Sequence, residues 1–419
     1  MLSSKQKSIV ATNLFRKFCV YGFLKNMKLF EPFLMLYLLS IPLRLSEIGW
    51  LYAVREITVI VFSLPMGLLA DVWGRKRTLM ASFVFYMAFC LCLFMAASAP
   101  LIWLGMFLFG FAESLRLGTH KAMIFSWIAK EKLKRERTFV YARTRSYSMW
   151  GMSVGGLISA FYLIFVPYMQ WVFLLAMIPY ALDFWLVSTY PDELNSGKGI
   201  VHLDQMRKHL EQSINDLLQE FMLKRSLFSL YVYEGFFRTI RDYMQPLIQG
   251  LMISSVSLAG LVYVHDTQSS PWVLGVLYSI FYLLSAFATR QSYLCKKNWG
   301  ARVTANRIFF LCGFVLLLIS WSVHNLYLLI FLFMLFFVMS NMRRPLMVGI
   351  LGKRMDDEKR ATLFSLGSLI KSMVIVLLAP LLGIMADTLG MIFMLRVAAV
   401  LVLIMAVILR IPSKKSNFL

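Results

Sequence analysis

The chain contains 419 residues, of which 59% are hydrophobic and only 15% are charged. An ordinary soluble domain carries about 25% charged residues, so this composition excludes a soluble globular protein and indicates that lipid solvates much of the chain. The formal net charge of +22 could indicate a nucleic-acid-binding protein. The basic residues, however, concentrate in short connections between apolar stretches, so we expect a lipid bilayer and no nucleic acid as partner.

Apolar stretches of roughly 20 residues predict membrane-spanning helices, and the sequence contains twelve of them. In chain order they cover 18–43, 48–70, 78–97, 100–125, 146–166, 170–189, 227–253, 272–290, 304–322, 326–349, 362–385 and 390–411. The fifth span carries Gly151, Gly155 and Gly156, a spacing of small residues that favours close helix packing. We therefore predict an all-α integral membrane protein.

Positive charge alternates between the two sides of these spans. Lysine and arginine residues precede the first span and follow spans two, four, six, eight and ten, whereas the opposite loops are almost free of them. Arg44 is the one exception. Because cytoplasmic loops carry the excess of basic residues, we expect both termini on the cytoplasmic side.

One long polar connection divides the spans into six and six. It covers 191–226 and separates a predicted amino-terminal bundle, 1–190, from a predicted carboxy-terminal bundle, 227–419. Apolar residues between Leu203 and Phe221 recur at helical spacing among charged ones, which predicts an amphipathic helix on the cytoplasmic membrane surface. A helix that binds a partner protein is the alternative.

The two halves repeat a charge pattern. Two cations three residues apart precede a proline in both the first and the seventh span: Lys25, Lys28 and Pro32, and then Arg238, Arg241 and Pro246. The fourth and tenth spans carry Arg116 and Arg343 at comparable positions. This correspondence predicts a duplicated six-helix unit whose two copies run in parallel.

Charged residues lie near the middle of several spans. Insertion of one charge at the centre of a membrane helix costs roughly 2.5–3.5 kcal/mol, so we expect such groups to face a water-filled cavity or an ionic partner. Cations remain in excess after the neighbouring carboxylates are paired with them, which favours an anionic or zwitterionic substrate. The candidate substrate-binding residues are Lys25, Lys28, Arg116, Arg238, Arg241, Arg343 and Lys371.

Carboxylates in the same spans are candidates for proton coupling, namely Glu31, Glu113, Glu234 and Asp242. Glu31 is the leading candidate because it lies at mid-membrane beside Pro32, which is expected to interrupt the helix hydrogen bonds. Burial would favour its neutral form and a nearby cation its charged form, so titration in the working range is expected.

Fixed ion pairs are the alternative for each of these carboxylates. The pairs considered are Glu31 with Lys28 or an arginine of span seven, Glu113 with Arg116, Glu234 with Arg238, and Asp242 with Arg238. Arg55 and Glu56 of the second span are expected to form an interface or gating pair.

The connection between spans two and three contains Gly67, Asp71, Gly74, Arg75, Lys76 and Arg77. Gly67 is expected to let two helices approach closely, and Gly74 to permit a tight reversal. Asp71 suits the positive end of a neighbouring helix, and the cations hold the loop on the cytoplasmic side. The pattern Gly-x-x-x-Asp-x-x-Gly-Arg-Lys resembles the loop 2–3 signature of the major facilitator superfamily of secondary transporters.

This resemblance covers the whole chain and implies the fold of that superfamily: twelve transmembrane helices in two six-helix bundles related by a parallel pseudo-repeat. It implies that spans one, four, seven and ten line a central cavity. It also implies that the loop motif helps to close a cytoplasmic gate, with Asp71 docking near 361–365 at the start of span eleven. The equivalent loop after span eight, 288–291, lacks the matching aspartate and glycine, so we expect asymmetric gating.

The resemblance implies a secondary transporter, and the central cations indicate its cargo. We predict proton-coupled movement of a small organic anion or zwitterion: a carboxylate metabolite, an amino acid or an anionic siderophore. A proton-driven multidrug exporter is one alternative, and a membrane receptor or scaffold that does not transport is another. No catalytic or nucleotide-binding motif is present, so we expect neither an enzyme nor a cofactor or metal site. We expect a monomer in the cytoplasmic (inner) membrane of a bacterium.

Overall fold

The structure is a computed structural model that describes residues 4–96, 98–133, 136–166, 168–195, 219–259, 271–352 and 360–412. This part of the chain is helical and contains no strand. The first nine helices are α1 (Ser4–Ala11), α2 (Asn13–Asn26), α3 (Leu34–Ser40), α4 (Leu45–Trp73), α5 (Arg75–Phe94), α6 (Ala99–Arg116), α7 (Thr119–Lys130), α8 (Arg137–Phe165) and α9 (Trp171–Ser188). A 3-10 helix, Asp192–Asn195, follows. The remaining helices are α10 (Phe221–Ala259), α11 (Pro271–Trp299), α12 (Ala301–Trp321), α13 (Leu326–Gly352), α14 (Arg360–Leu389) and α15 (Met391–Ile408).

Within the described ranges, 10 helical segments are long and apolar enough to cross a membrane. The predicted spans one and seven are not among these segments, for two different reasons. Span one is divided into α2 and α3, each too short for a crossing. Span seven is α10, which has 39 residues but carries six charged residues between Lys224 and Asp242. Both spans are present as helices, and the all-α membrane fold is confirmed.

The break in span one lies at the predicted proline. Pro32 has no N–H and disfavours the helical conformation of Glu31, the residue before it. The helix resumes as α3, and the free N–H of Met35 in its first turn donates to the side-chain oxygen of Gln245 in α10 at 3.1 Å. The expected interruption of hydrogen bonding beside Pro32 is therefore confirmed.

The described chain packs as two compact units. The first comprises Met1–Pro32, Ile57–Leu203 and Gly275–Leu283, and the second comprises Phe33–Glu56, Asp204–Leu274 and Leu284–Leu419. In the first unit α5 packs against α6 and α9, and α2 packs against α8. In the second unit α12 packs against α13 and α15, and α10 packs against α14. The division into bundles 1–190 and 227–419 stays a prediction, and residues 203–218 of the predicted amphipathic helix lie outside the described ranges.

The small residues of span five form the predicted packing face. A side chain at Gly151 would collide with the backbone of Phe23 in α2, and one at Gly155 would crowd Met27. Gly156 lies equally close to α11. Because backbones can approach only where side chains are this small, α8 is fitted closely to α2 at this level.

The loop motif shows the expected chain reversal at Gly74 but not the expected close approach at Gly67. Gly74 has a φ of +104°, which only glycine adopts at low cost, and it reverses the chain between α4 and α5 as predicted. The close approach expected at Gly67 is wrong for this structure. No atom of the described residues, outside the surrounding helix backbone, lies within 4 Å of the position that a β-carbon on Gly67 would occupy.

The second copy of this turn lies farther along the chain than predicted, because α11 extends past the expected end of span eight. Gly300 precedes α12 with a φ of +79°, as Gly74 precedes α5. The hydroxyl of Thr304 donates to the carbonyl of Gly300 at 2.8 Å, as Thr78 does to Gly74 at 3.0 Å. The turn glycine expected to be missing is therefore present. The acidic residue is not repeated, since Lys297 stands three residues before the second glycine.

Candidate functional site

Four charged side chains of the first unit meet where α2 and α6 end, and we call Lys25, Lys28, Glu113 and Arg116 the first charge cluster. The carboxylate of Glu113 accepts a hydrogen bond from Lys28 Nζ at 3.2 Å, lies 3.9 Å from Lys25 Nζ and pairs with Arg116. Arg116 Nε also donates to the hydroxyl of Tyr86 at 3.1 Å. The Glu113–Arg116 pair considered from the sequence is thus present, but two lysines share its carboxylate.

The helix ends explain how three cations can share one carboxylate. Lys25 lies in the last turn of α2, and Arg116 is the last residue of α6. The last carbonyl groups of a helix lack helical partners and carry partial negative charge, so they stabilise nearby cations. Gly118, with a φ of +84°, separates α6 from α7. Lys28 Nζ also lies 4.9 Å from the ring centre of Phe109, a favourable cation–π distance.

The second charge cluster belongs to the second unit and consists of Arg55, Glu56, Arg238, Arg241 and Asp242. Glu56 is almost fully buried. It accepts hydrogen bonds from Arg55 Nη2 at 3.0 Å and from the hydroxyl of Ser372 at 2.6 Å, and it lies 3.4 Å from Arg238 Nη1. The side chain of Arg238 is 25% exposed, against 4% for Arg55. Arg238 is therefore the more accessible of the two cations bound to Glu56.

A second ion pair completes this cluster. Arg241 donates from Nε and Nη2 to one carboxylate oxygen of Asp242, at 2.9 and 2.8 Å. The positive charge of Lys371, in α14, also acts on Glu56. The side chains of Arg241 and Asp242 are 10% and 9% exposed, so this pair lies largely out of contact with solvent.

Arg343, another candidate from the sequence, is enclosed by protein. Its guanidinium donates to the carbonyl of Ser229 at 2.9 Å, to the hydroxyl of the same residue at 2.6 Å and to the carbonyl of Ala305 at 3.2 Å. It also lies 4.7 and 4.4 Å from the ring centres of Tyr233 and Phe309. These contacts favour a packing role for Arg343 in this conformation.

The other carboxylates have distinct surroundings. Glu234 pairs with Arg344 at 3.0 Å, a partner that the sequence argument did not consider. Glu31 lies in the turn between α2 and α3, outside either helix, and its charge acts on Lys25. Asp71, the acidic residue of the loop motif, pairs with Arg75 at 3.3 Å.

The cations of the loop motif join the turn to two other parts of the first unit. Arg75 donates to the hydroxyl of Ser126 in α7 at 3.0 Å. Lys76 Nζ pairs with Asp192, in the 3-10 helix after α9, at 2.9 Å. The turn is therefore anchored within its own unit, and the docking of Asp71 near 361–365 stays a prediction.

One buried carboxylate is missing from the candidates drawn from the sequence. Asp183 of α9 has no exposed surface, and neither of its oxygens has a hydrogen-bond partner among the described residues. The available signal was an aspartate within the sixth apolar span, since an ionisable residue inside a membrane span is by default a functional candidate. Glu56 was recognised only as the partner of Arg55, not as the centre of a cluster.

The family model described as the Major Facilitator Superfamily matches residues 20–264, more than half of the chain. The chain belongs to the Major Facilitator Superfamily. A relative from Bacillus subtilis (strain 168), the uncharacterized MFS-type transporter YxaM, is 25% identical over 397 residues, which cover 93% of this chain and 94% of the relative. The protein is accordingly a multi-pass membrane transporter and not an enzyme.

Solved structures of transporters share its fold. The nucleoside transporter NupG matches with a TM-score of 0.70 and 12% identity, over 95% of this chain and 98% of NupG. A D-xylose-proton symporter matches with a TM-score of 0.72 and 13% identity, over 97% and 99%. A POT family transporter in complex with a thioalcohol-conjugated peptide matches with 0.71 and 12%, over 94% of each chain. At these identities the likeness shows the fold alone.

Proposed function

We propose that this transporter moves a small organic anion or zwitterion together with protons, by alternating access to a midplane site. The observation that carries the proposal is the charge balance of the two clusters. The first cluster has three cations and one carboxylate, and the second has three cations and two carboxylates. Groups with a net positive charge at membrane depth are suited to an anionic partner.

Arg238 is the cation best placed to meet that partner. It is the more exposed of the two arginines on Glu56, and its contact with that carboxylate is the longer one. A substrate carboxylate would present the same group that Glu56 presents, so the two would compete for Arg238. Release of Glu56 from Arg238 would loosen the link between α4 and α10, which connects binding to a change of conformation.

In the first cluster, Arg116 and the two lysines would receive the substrate in the same way. Arg116 has a side chain that is 20% exposed, against 9% for Lys25 and 11% for Lys28. A guanidinium also matches the planar carboxylate group with two parallel hydrogen bonds, which an ammonium group does not. Arg116 is thus the primary anion ligand of this cluster.

Proton coupling is assigned to the first unit. Glu113, Glu234 and Asp242 each form an ion pair within 3.2 Å of a lysine or arginine. Glu31 lies in the turn beside Pro32 and is partly exposed, and water can satisfy the backbone groups of such a break. Among the carboxylates drawn from the sequence, Glu31 is therefore the one we assign to proton exchange.

The anion proposal is tested by ligand-induced thermal stabilisation of the purified protein. The panel contains lactate, succinate, benzoate and glutamate, each beside its neutral amide. A ligand that binds only the folded state stabilises it by an amount that grows with the logarithm of the ratio of free ligand concentration to Kd. Acids that bind should therefore raise the melting temperature, and their amides should not. Equal shifts for acids and amides would contradict the charge argument and favour the multidrug exporter.

Variants assign the binding to individual arginines. Arg238→Ala and Arg241→Ala are expected to weaken binding of the active acid by about tenfold or more, the loss of one charged hydrogen bond. Arg344→Ala is the matched control, because that arginine also pairs with a glutamate, at 3.0 Å, and lies outside both clusters. Arg238→Lys should recover part of the affinity. If none of these variants changed the affinity for the active acid, the assignment of binding to Arg238 and Arg241 would be refuted.

The coupling proposal is tested by flux in proteoliposomes with an imposed pH gradient. Glu31→Gln should abolish proton-driven accumulation of the active acid while exchange of external for internal substrate continues. Glu131→Gln serves as control, because Glu131 is exposed at the end of α7 and lies outside both clusters and the loop motif. Unchanged accumulation in Glu31→Gln would exclude that residue from coupling. Absence of any flux in the parent protein would instead favour a receptor or scaffold.

The location also belongs to the proposal. We place the chain in the cytoplasmic membrane of a bacterium as a monomer, with both termini on the cytoplasmic side, because basic residues concentrate in alternate loops. Reporter fusions after Arg77 and after Gly390 test the topology. The first should report the cytoplasm and the second the opposite side, and the reverse result would overturn the orientation.

A further inference from the structure

The buried face of α9 carries two side chains whose polar atoms have no hydrogen-bond partner among the described residues. Asp183 is completely buried, and neither of its carboxylate oxygens has a hydrogen-bond partner among the described residues. The hydroxyl of Tyr180, one turn earlier on the same helix, also lacks one there. Such groups are rare in folded proteins and call for a specific explanation.

This face lies against the first charge cluster. Tyr180 stacks on Tyr86 of α5 with ring centres 4.9 Å apart, and the hydroxyl of Tyr86 accepts a hydrogen bond from Arg116. Lys25 of α2 and Arg116 of α6 are the cations whose charges act on Asp183. Other titratable groups near this face are Tyr21 of α2, Cys90 of α5 and Tyr190 after α9. His120 of α7 lies beside them, with its ring centre 3.6 Å from that of Tyr21 and its Nε2 atom 3.4 Å from the hydroxyl of Tyr190.

A charged carboxylate needs hydrogen-bond donors, and burial without them is costly, so an acid in such a place keeps its proton. We propose that Asp183 is a second, buried proton-binding group of the first unit, in addition to Glu31, and that its protonation sets the positive charge offered to an anionic substrate by Lys25, Lys28 and Arg116. The proposal rests on the anion-transport function above and adds a buried site to the proton exchange assigned to Glu31.

The coupling follows from the balance of charges. Besides Glu113, Glu31 in its charged form also acts on Lys25. With Glu31 charged, the three cations of the first cluster therefore face two carboxylates while Asp183 is neutral. When Asp183 loses its proton, three charged carboxylates face the three cations. The net charge of this group of side chains then falls from +1 to zero, and the attraction for an anion is lost. Proton and anion therefore bind together and leave together, because each raises the affinity for the other by the same factor.

Release of the proton requires a new partner for the ionised carboxylate. Lys25 is suited to this, because its contact with Glu113 is the longest of the three ion pairs there, at 3.9 Å. In the released state Lys25 pairs with Asp183, the proton has passed to water, and Glu113 keeps Lys28 and Arg116. One lysine thus moves between two carboxylates as the proton leaves.

Infrared spectroscopy tests the protonation state without any substrate. The protein is studied in dodecyl maltoside, which has no ester carbonyl to mask the carbonyl stretch of a protonated carboxylic acid. At neutral pH the parent should show this band, Asp183→Asn should lose it, and Glu113→Gln should keep it. Asp183→Glu should shift the band, which covers the case that the asparagine variant does not fold. A band that persists in Asp183→Asn, or no band in the parent, overturns the proposal.

A second experiment measures the linkage with the acids of the binding panel. In the parent, affinity for a bound acid such as benzoate or succinate should fall by up to about tenfold per pH unit once the proton leaves. Asp183→Asn should bind at the higher affinity throughout and lose proton-driven accumulation. An unchanged slope in Asp183→Asn overturns the role of this residue while anion transport stands. If no acid binds at all, the anion function fails, and the infrared result still decides where the proton lies.

Discussion

The first and seventh spans start from one sequence pattern and reach two structures. Each has two cations three residues apart, followed by a proline. In the first span the helix stops at Asn26 and resumes at Leu34, with Lys28 and Glu31 in the break. In the seventh, α10 continues without interruption through Pro246. The same local chemistry therefore produces cations at a helix end in one unit and cations in mid-helix in the other.

The difference determines how the cations are neutralised. At a helix end, unpaired carbonyl groups supply part of the negative charge, so three cations of the first cluster share Glu113. In the middle of α10 the carbonyl groups are bonded to helical N–H groups, apart from that of Asp242, whose donor would be Pro246. The two arginines of α10 in the second cluster each have a carboxylate partner, Glu56 for Arg238 and Asp242 for Arg241. The first cluster is thus easier to rearrange, which suits proton exchange, and the second is more firmly paired.

The largest expected effect is a difference in the free energy of unfolding between a variant of the second cluster and the matching variant of the first. Glu56→Gln places a neutral amide against the buried Arg55 and the partly exposed Arg238 in place of a carboxylate, and should lower the free energy of unfolding by about 3–5 kcal/mol. Glu113→Gln leaves cations that helix ends still stabilise, and should cost about 1–3 kcal/mol. Thermal and urea unfolding in one detergent would rank the two variants. A loss in Glu113→Gln as large as that in Glu56→Gln would contradict the comparison.

The sequence predicts the helices, but not the pairing of the charges within them. The apolar lengths predict the ten described segments that are long and apolar enough to cross a membrane, and Pro32 predicts the break in the first span, because both signals are local. Glu56 meets Arg238 and Ser372 only because α4, α10 and α14 pack together, and their separation along the chain leaves no local signal. Pro246 shows the limit of a local rule, since packing keeps α10 continuous around it. Gly300 was missed because the end of α11 is polar and cannot be told from a loop by hydropathy.

The two prolines offer the next test. Pro32→Ala removes the obstacle to a continuous helix, which would displace Lys28 from Glu113 and lower affinity for an acid of the binding panel by about tenfold, as misplaced binding groups do. Pro246→Ala is the matched control, because its helix is already continuous and only one backbone hydrogen bond is gained. Its affinity should stay within about twofold of the parent. Equal losses in both variants would show that the break in span one has no part in arranging the cluster.

The smallest effect concerns two glycines that differ only in backbone conformation. No described atom outside the local helix backbone lies within 4 Å of a β-carbon built on Gly118 or on Gly250, so alanine meets no collision at either site. Gly118 has a φ of +84° where α6 ends, and Gly118→Ala should cost about 1–2 kcal/mol, the strain of the left-handed conformation. Gly250 lies inside α10, and Gly250→Ala should stabilise the protein by about 0.5–1 kcal/mol. Melting temperatures should therefore move in opposite directions. A stabilising Gly118→Ala would mean that the chain can pass from α6 to α7 without this turn, and the helix end beside Arg116 would then not be needed to hold the first cluster.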